Sequence, residues 1–182
     1  SLYLSNNKIS DISSLKNLNE LSSIKLDGNK IKDFSSINDK KGIFEKIIHN
    51  QNVDLGNVEV SEKTFEIDNV FLGLEKIAKG GNIKVSTEAE GVTVTLESGK
   101  LNFSLTDKAM ENIKEGLKLT VKFKFENEMD YENNPTVLNL NVNLVKPAKK
   151  YVEIEDAKLL KVINKNLGKN LRNLLSIIQW AV

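Results

Sequence analysis

Two stretches near the N-terminus repeat one pattern, LYLSNNKISDISSL at residues 2–15 and IKLDGNKIKDFSSI at residues 24–37. The second copy follows the first at a constant spacing of 22 residues, so that Leu4 corresponds to Leu26. A fixed period of about 20 to 29 residues with the pattern L-x-L-x-x-N-x-I is typical of arrays in which each repeat adds one short strand to a parallel stack. The N-terminal part is therefore predicted to form stacked coils, and the pattern stops after Ile37.

The repeated positions divide into inward and outward residues. Residues two apart on a strand share one face, and stacked coils bury that face against one another. The predicted inward residues are Leu2, Leu4, Leu21, Ile24 and Leu26. Asn7 and Asn29 fall where the chain leaves the strand, and a carboxamide there can bond backbone groups outside the ladder.

The residues between the inward positions are predicted to face outward, on the concave side of the sheet. They are the candidate binding residues of this chain: Tyr3, Ser5, Ser23, Lys25 and Asp27. Two coils present too little surface for tight binding, so a partner is expected to make most of its contacts with repeats upstream of this piece.

The same residues resemble the internalin type of bacterial leucine-rich repeat, which reads close to L-x-L-x-x-N-x-I-x-D-I-x-x-L-x-x-L-x-x-L. Residues 2–21 match this pattern nearly position by position. The second copy departs from it at Ile24, Gly28, Phe34 and Ile37. The resemblance covers residues 1–40, the predicted end of the solenoid. It implies a secreted or surface protein of Gram-positive or related bacteria whose repeats bind a protein or a glycan.

Residues 41–147 change to segments in which apolar and polar residues alternate. These segments are NVDLGNVEV, TFEI, NIKVST, GVTVTLES, KLNFSL, LKLTVKFKFE and TVLNLNVNLV. Seven short strands separated by turn signals such as Glu90-Gly91 predict an antiparallel β-sandwich, because each strand has one face to bury.

Two segments of this region break the alternation and are predicted as short helical crossovers between sheets. NVFLGLEKIAKGG, residues 69–81, spaces its apolar residues like a helical face and ends at glycine. TDKAMENIKEG, residues 106–116, offers Thr106 or Asp107 as the N-cap and Gly116 as its end.

A second resemblance concerns the position of this β-rich region. Internalin-like proteins carry an Ig-like domain directly after the last repeat, and IIHNQNVDL, residues 47–55, is similar to the start of such a domain. The resemblance implies an Ig-like sandwich over 41–147. The chain has no Cys and its single Trp lies in the tail, so the disulfide and the buried Trp of antibody domains are absent.

Residues 148–182 form the third predicted region, a linker followed by a helix that Asp156 can cap and Gly168 can end. The apolar face of this helix comprises Ala157, Leu160, Ile163 and Leu167. The pattern V-x-I-x-D-x-x-L-x-x-x-I-x-x-x-L-G resembles the helical cap that opens an internalin-type array. Residues 169–182 do not continue into a repeat, so a truncated or frameshifted end and an amphipathic helix for a membrane or a partner both stay open.

Composition narrows the classes of partner. Lys and Arg total 26 against 25 for Asp and Glu, so no overall field favours nucleic acid. No apolar run reaches the ~18 residues that span a bilayer, and the absence of Cys removes disulfides and thiolate metal sites. The chain begins with Ser and enters the repeat part-way, which indicates a fragment of a longer protein.

Catalytic and metal chemistry has few candidates. His49 is the only histidine, so a multi-His metal site is excluded and a serine triad would have one possible base. ENEMDYENN, residues 126–134, collects oxygen ligands that suit calcium, but it lacks EF-hand spacing, and a solvated hairpin tip is the competing interpretation. Glu88 and Glu97 have no defined separation that would make them a glycosidase pair. No catalytic residue, metal site or cofactor is predicted.

The predicted function is that of a non-catalytic piece of an extracellular or cell-surface adhesin, whose repeats bind a macromolecule and whose Ig-like domain caps and spaces them. Two other hypotheses stay open. The sandwich could itself bind carbohydrate or protein through Phe side chains, Tyr131 or the acidic loop, which requires exposed aromatic rings. A hydrolase would need a cleft that joins His49 to a serine or an acid.

Overall fold

The structure is a computed structural model that describes residues 1–38, 40, 42–43, 45–78, 82–129 and 135–148, with the backbone alone at 127–129 and 135. In the tail it describes the helical residues Lys158, Leu159, Lys161, Val162 and Lys165. By its contacts the chain divides into Ser1–Lys146 and Pro147–Val182. The predicted division into 1–40, 41–147 and 148–182 stays a prediction.

Three short parallel strands form the N-terminal sheet, in the order β1-β2-β3. Their bounds are Leu2–Tyr3 for β1, Ser23–Lys25 for β2 and Glu45–Ile47 for β3. Leu2 pairs with Ile24, and Ile24 pairs with Lys46. The spacing of the quoted repeat therefore continues for one strand more than the sequence analysis predicts.

The third strand is hidden in the sequence because two of its key positions carry other residues. Lys46 stands in place of an inward Leu, and Gln51 occupies the position of the repeated Asn. The backbone nevertheless keeps the repeat, since Asn6, Gly28 and Asn50 all have positive φ, at 57°, 67° and 56°. A left-handed residue therefore ends each strand at the same point, where Asn and Gly are best tolerated.

A ladder of carboxamides joins the successive coils. The Asn29 Nδ2 donates to the carbonyl oxygens of Leu4 and Leu26, each at 2.8 Å. Its Oδ1 accepts from the Ile9 N–H at 3.0 Å. The side chain thus bonds its own turn and the turn of the preceding coil, as the sequence analysis predicts for this position.

Gln51 repeats these three bonds one coil later. Its Nε2 donates to the carbonyl oxygens of Leu26 at 2.7 Å and Ile48 at 3.0 Å. Its Oε1 accepts from the Ile31 N–H at 2.9 Å. Only 1% of Asn29 and 0% of Gln51 is exposed, so these bonds satisfy backbone groups that water does not reach.

The return path of each coil begins with the same aspartate turn. Asp11 and Asp33 each accept a hydrogen bond at 2.8 Å from the backbone N–H of the serine two residues later, Ser13 and Ser35. A short 3-10 helix, Ser13–Asn17, follows the first turn, and helix α1, Ser35–Asn38, follows the second.

These aspartates give an expected pH dependence. The Ser13 N–H lowers the pKa of Asp11, and the Ser35 hydroxyl and then its N–H lower the pKa of Asp33, because both donors stabilise the ionised carboxylate. Their stabilising contribution is therefore present above the unfolded-state pKa of roughly 4 and is lost as the pH falls through the lower folded-state pKa. NMR titration of the carboxyl carbons should place both midpoints below that of a free aspartate. Ordinary midpoints would show that the turns do not hold these carboxylates.

Seven further strands form two sheets, as the alternating pattern predicts. The four-stranded sheet has the order β4-β10-β9-β6, with bounds Asn52–Glu59, Pro135–Val145, Leu117–Met129 and Ile83–Thr87. The three-stranded sheet has the order β5-β8-β7, with bounds Thr64–Asp68, Lys100–Leu105 and Val92–Glu97. The described part of the chain is therefore mainly β.

One pairing differs from the antiparallel sandwich that the sequence predicts. β4 and β10 run parallel, with Val53 opposite Leu140, so the four-stranded sheet is mixed. The direction of β4 is set by the residue before it. β4 begins at Asn52, and the preceding Gln51 is fixed by its side-chain hydrogen bonds to the coils. The strand therefore leaves the coils in a fixed direction and meets the edge of β10 in that direction.

The two predicted crossovers are short helices. α2, Leu74–Ile77, and α3, Asp107–Asn112, each connect the three-stranded sheet to the four-stranded one. The Thr106 hydroxyl accepts from the Ala109 N–H at 3.3 Å and caps α3. Gly116, with a φ of 86°, ends the 3-10 turn after α3, which confirms both predicted ends.

The coils and the sheets are joined by hydrogen bonds. The Asn50 N–H donates to the Val137 carbonyl at 2.7 Å, and the Asn139 N–H donates to the Gln51 carbonyl at 2.8 Å. One apolar cluster also runs through both parts of Ser1–Lys146, from Phe34 in the coils to the facing strands of the two sheets. These bonds and this cluster connect the two sheets to the turn that follows β3.

The tail offers little that tests its prediction. The predicted cap Asp156, the helix end Gly168 and the apolar face Ala157, Leu160, Ile163 and Leu167 lie outside the described residues, as do 169–182. No helix among the described residues has the length and apolar character needed to cross a bilayer.

Candidate functional site

The outer side of the parallel sheet brings the predicted binding residues together. We call Tyr3, Ser5, Ser23, Lys25 and Asp27 the repeat face. Tyr3 and Lys25 are register partners, and the Lys25 Nζ lies 5.4 Å from the centre of the Tyr3 ring. This is the geometry of a cation–π contact. Tyr3 is 64% exposed, so an aromatic ring and its neighbouring cation stand at the surface.

The three other residues of the repeat face are tied into hydrogen bonds. The Ser5 hydroxyl donates to Asp27 Oδ1 at 2.5 Å, and the Ser23 hydroxyl donates to Glu45 Oε2 at 2.5 Å. Ser23 is buried, whereas Ser5 and Asp27 are half-buried. The Asp27 carboxylate is therefore held in a fixed position. The buried Ser23 links β2 to β3 through Glu45 and is not accessible to a partner.

The third strand adds residues that the sequence analysis did not place on this face. Glu45 pairs with Ser23, and Ile47 pairs with Lys25. The His49 carbonyl accepts from the Gly28 N–H at 3.1 Å, which places His49 beside the turn that follows Asp27. Extending the spacing of the repeat by one further copy would have revealed all three residues.

A second concave surface lies on the outer side of the four-stranded sheet. It is an open cleft of about 750 Å³, which we call the sheet cleft. Its polar lining includes Asp54, Asn57, Glu88, Lys118, Thr120 and Asn141. β9 and β10 form the floor, and β4 and the turn after β6 form the sides. No sequence motif marks this cleft, because its residues come from four separate segments.

Hydrogen bonds run across the floor of the sheet cleft from strand to strand. The Thr120 hydroxyl donates to Asn141 Oδ1 at 2.8 Å, and the Asn141 Nδ2 donates to Asn52 Oδ1 at 2.5 Å. In the next row, the Asn143 Nδ2 donates to Asn57 Oδ1 at 2.7 Å. The amides are thus held in defined orientations by their neighbours.

The charges of the sheet cleft balance. Lys122 donates to Glu88 Oε1 at 2.6 Å, and this hydrogen bond, with the charge of the ammonium, lowers the pKa of Glu88. Asp54 Oδ1 accepts from the Gly56 N–H at 2.8 Å. With Lys118 the cleft holds two cations and two anions.

The acidic side chains of the described residues do not form a metal-binding cluster. No group of three or more His, Asp or Glu residues there could hold a metal ion. Most of the acidic stretch 126–134 lies outside the described side chains, and Glu126 forms an ion pair with Lys84. The two glutamates considered as a glycosidase pair have different partners. Glu97 lies opposite Lys100 in the three-stranded sheet, whereas Glu88 accepts a hydrogen bond from Lys122.

Comparison with known proteins gives a similarity of fold. No protein-family model and no curated protein match the chain. The CBM51-2 and INT domains of Clostridium perfringens ZmpB are similar, with a TM-score of 0.50 and 18% identity over 78% of this chain and 29% of that one. A structure of the same Clostridium protein in complex with GlcNAc gives 0.49 and 16%, over 78% and 29%. The functional domain of InlJ from Listeria monocytogenes gives 0.49 and 15%, over 78% and 28%.

The chain therefore spans less than a third of each structure that it resembles. At this level of identity, the Clostridium match with the TM-score of 0.50 supports a shared mainly β architecture. It assigns neither an activity nor a ligand to the chain.

Proposed function

We propose that the chain is a non-catalytic part of an extracellular or cell-surface bacterial protein, in which leucine-rich coils of the internalin type bind a macromolecular partner and an Ig-like sandwich caps them. The observation that carries the proposal is the constant spacing of three parallel strands, with Asn29 and Gln51 making equivalent buried hydrogen bonds. Such a stack holds the outward side chains of successive coils in register.

The repeat face has the chemistry of a protein or glycan contact. Tyr3 offers a rigid aromatic surface with a polar tip, and Lys25 and Asp27 add opposite charges beside it. Tyrosine is enriched among the residues that dominate binding energy because it buries a large area at a small cost in conformational entropy. The face is small, so it would form one end of a larger contact surface.

The sandwich has the position and the bonds of a cap. A stack of coils exposes apolar residues and backbone groups at each end unless another element covers them. Here β10 bonds the turn that contains Asn50 and Gln51, and the buried Phe34 N–H donates to the Leu72 carbonyl at 3.1 Å. These contacts support a rigid connection through which the sandwich holds the coils.

The alternative hypothesis, in which exposed Phe rings of the sandwich bind carbohydrate or protein, has less support. Phe71, Phe103, Phe123 and Phe125 are buried, and Phe65 stacks on Phe103 with 4.9 Å between ring centres. Four of the five described Phe rings of the sandwich therefore lie in its core, and the fifth packs against one of them. Tyr131 lies outside the described residues. A binding role for the sandwich would have to rest on the sheet cleft.

The repeat face can be tested with an array of extracellular proteins and neutral and acidic glycans. The double variant Tyr3→Ala/Lys25→Ala is expected to bind its array partner at least about tenfold more weakly than the unaltered chain, because it loses the exposed ring and its cation. Lys32→Ala, which removes an exposed lysine away from the strands, is the matched control and should bind unchanged. A double variant that binds its array partner as tightly as the unaltered chain does would contradict the proposal.

A further inference from the structure

We infer that the sheet cleft is a second binding site, and that its ligand is an uncharged saccharide. This inference concerns the four-stranded sheet alone and stands whether or not the repeat face binds a partner. It goes beyond the proposed function because it gives the sandwich a ligand of its own.

The size and lining of the cleft favour a hydroxyl-rich ligand. Its volume of about 750 Å³ lies within the range of small-molecule sites. Sites for apolar ligands are lined mainly by hydrophobic and aromatic side chains. This one adds carboxamides, a threonine, two lysines and two carboxylates to the apolar Ala89, Leu119 and Val142. A ligand that fills it must exchange many hydrogen bonds with water for hydrogen bonds with the protein, and saccharides have the hydroxyls to do so.

The charge balance argues against an ionic ligand. The cations Lys118 and Lys122 are matched by the anions Asp54 and Glu88, and Lys122 is already bonded to Glu88 at 2.6 Å. A phosphate, a sulfate or a nucleic acid would meet two carboxylates as well as two ammonium groups. An uncharged ligand pays no such electrostatic penalty.

The hydrogen bonds among the floor residues leave both donors and acceptors for a ligand. Asn141 and Asn143 direct one N–H each to Asn52 and Asn57, whose own side-chain N–H groups have no bond among the described residues. The Thr120 hydroxyl donates to Asn141, so its oxygen can still accept. A saccharide hydroxyl both donates and accepts, and can therefore use both kinds of group at once.

A bulge in β4 brings Asp54 and Asn57 to the same side of the sheet. The register shifts between Asn141 and Val142, where Asp54 and then Gly56 of β4 stand opposite. Gly56 has a φ of 79°, and a Cβ added to it would meet no atom within 4 Å. The extra residue lets both Asp54 and Asn57 face the cleft, which is the usual effect of a bulge on neighbouring side chains.

The test uses the isotope-labelled 182-residue chain and the NMR signals of its backbone amides and asparagine side-chain amides. Cellotetraose, chitotetraose and mannotetraose are added one at a time, up to about 10 mM, which detects affinities near millimolar. At least one of them should shift the amide signals of Asn57, Asn141 and Asn143. The variant Asn57→Ala should weaken this binding about fivefold or more, as expected for the loss of one hydrogen-bond donor.

The control is Asn102→Ala, which removes a carboxamide from the outer side of the other sheet and should leave the affinity unchanged. Tetragalacturonate and a neutral polar peptide serve as competing ligand classes. The inference is overturned if none of the three saccharides shifts the cleft amides. It is also overturned if only the acidic sugar or the peptide does so, or if Asn57→Ala binds like the unaltered chain. Shifts confined to the backbone amides of Tyr3 and Lys25 would support the repeat face and contradict the cleft.

Discussion

Replacing Gln51 by alanine is expected to lower the free energy of unfolding by about 3 to 5 kcal/mol, because three buried backbone groups would each lose a hydrogen bond, and only the Leu26 carbonyl would keep another, from Asn29. These groups are the carbonyls of Leu26 and Ile48 and the N–H of Ile31. A loss of this size is a large fraction of the stability of an ordinary domain. Urea unfolding followed by circular dichroism would measure it.

Two further variants separate the possible causes. Asn7→Ala changes the equivalent residue of the first coil, where the exposed side chain bonds only the carbonyls of Leu4 and Ser5, and should cost less than about 1 kcal/mol. Gln51→Leu keeps the volume but not the bonds, and should retain most of the loss. If Gln51→Ala were no more harmful than Asn7→Ala, the ladder would not stabilise the coils.

The second large effect concerns the connection between the coils and the sheets. Phe34 is completely buried in the cluster that both parts share, so Phe34→Ala should lower stability by about 3 to 5 kcal/mol. If the sheets cap the coils, the whole of Ser1–Lys146 should unfold together. Hydrogen-exchange protection should then fall by the same free energy in β2 and in β10.

The matched control is Phe65→Ala, because Phe65 is only half-buried on β5, an edge strand of the three-stranded sheet. Its loss should be smaller, since less apolar surface leaves water on folding. Protection that falls in β2 while β10 keeps its full value would show that the two parts unfold separately, and the capping role would fail.

Local patterns in the sequence predicted most of the elements. The alternation of apolar and polar residues indicated all seven strands of the two sheets. Successive side chains of a strand point to opposite faces, so the alternation shows which face is buried. Thr106 and Gly116 marked the ends of the helical segment through their own local bonds and backbone angles. The same holds for Asn29, whose turn lies next to it in the chain.

Partners that are distant in sequence were harder to predict. The pattern of β4 states that Val53 is buried, but not that it lies beside Leu140 or that the two strands are parallel. The strand around Lys46 was missed because its side chains depart from the repeat while its backbone keeps it. β3 pairs with β2 through backbone hydrogen bonds, and a search for regularly spaced apolar side chains does not detect such pairing.

The sequence by itself determined the 22-residue period of the first two parallel strands and the buried face of each strand in the two sheets, since each follows from neighbours a few residues apart or one repeat away. Only the tertiary structure decided where β4 pairs and that Asn57, Glu88, Thr120 and Asn141 meet in one cleft. The reason is physical: side-chain alternation specifies burial locally, whereas the choice of neighbouring strand depends on long-range contacts that form only when the whole unit folds.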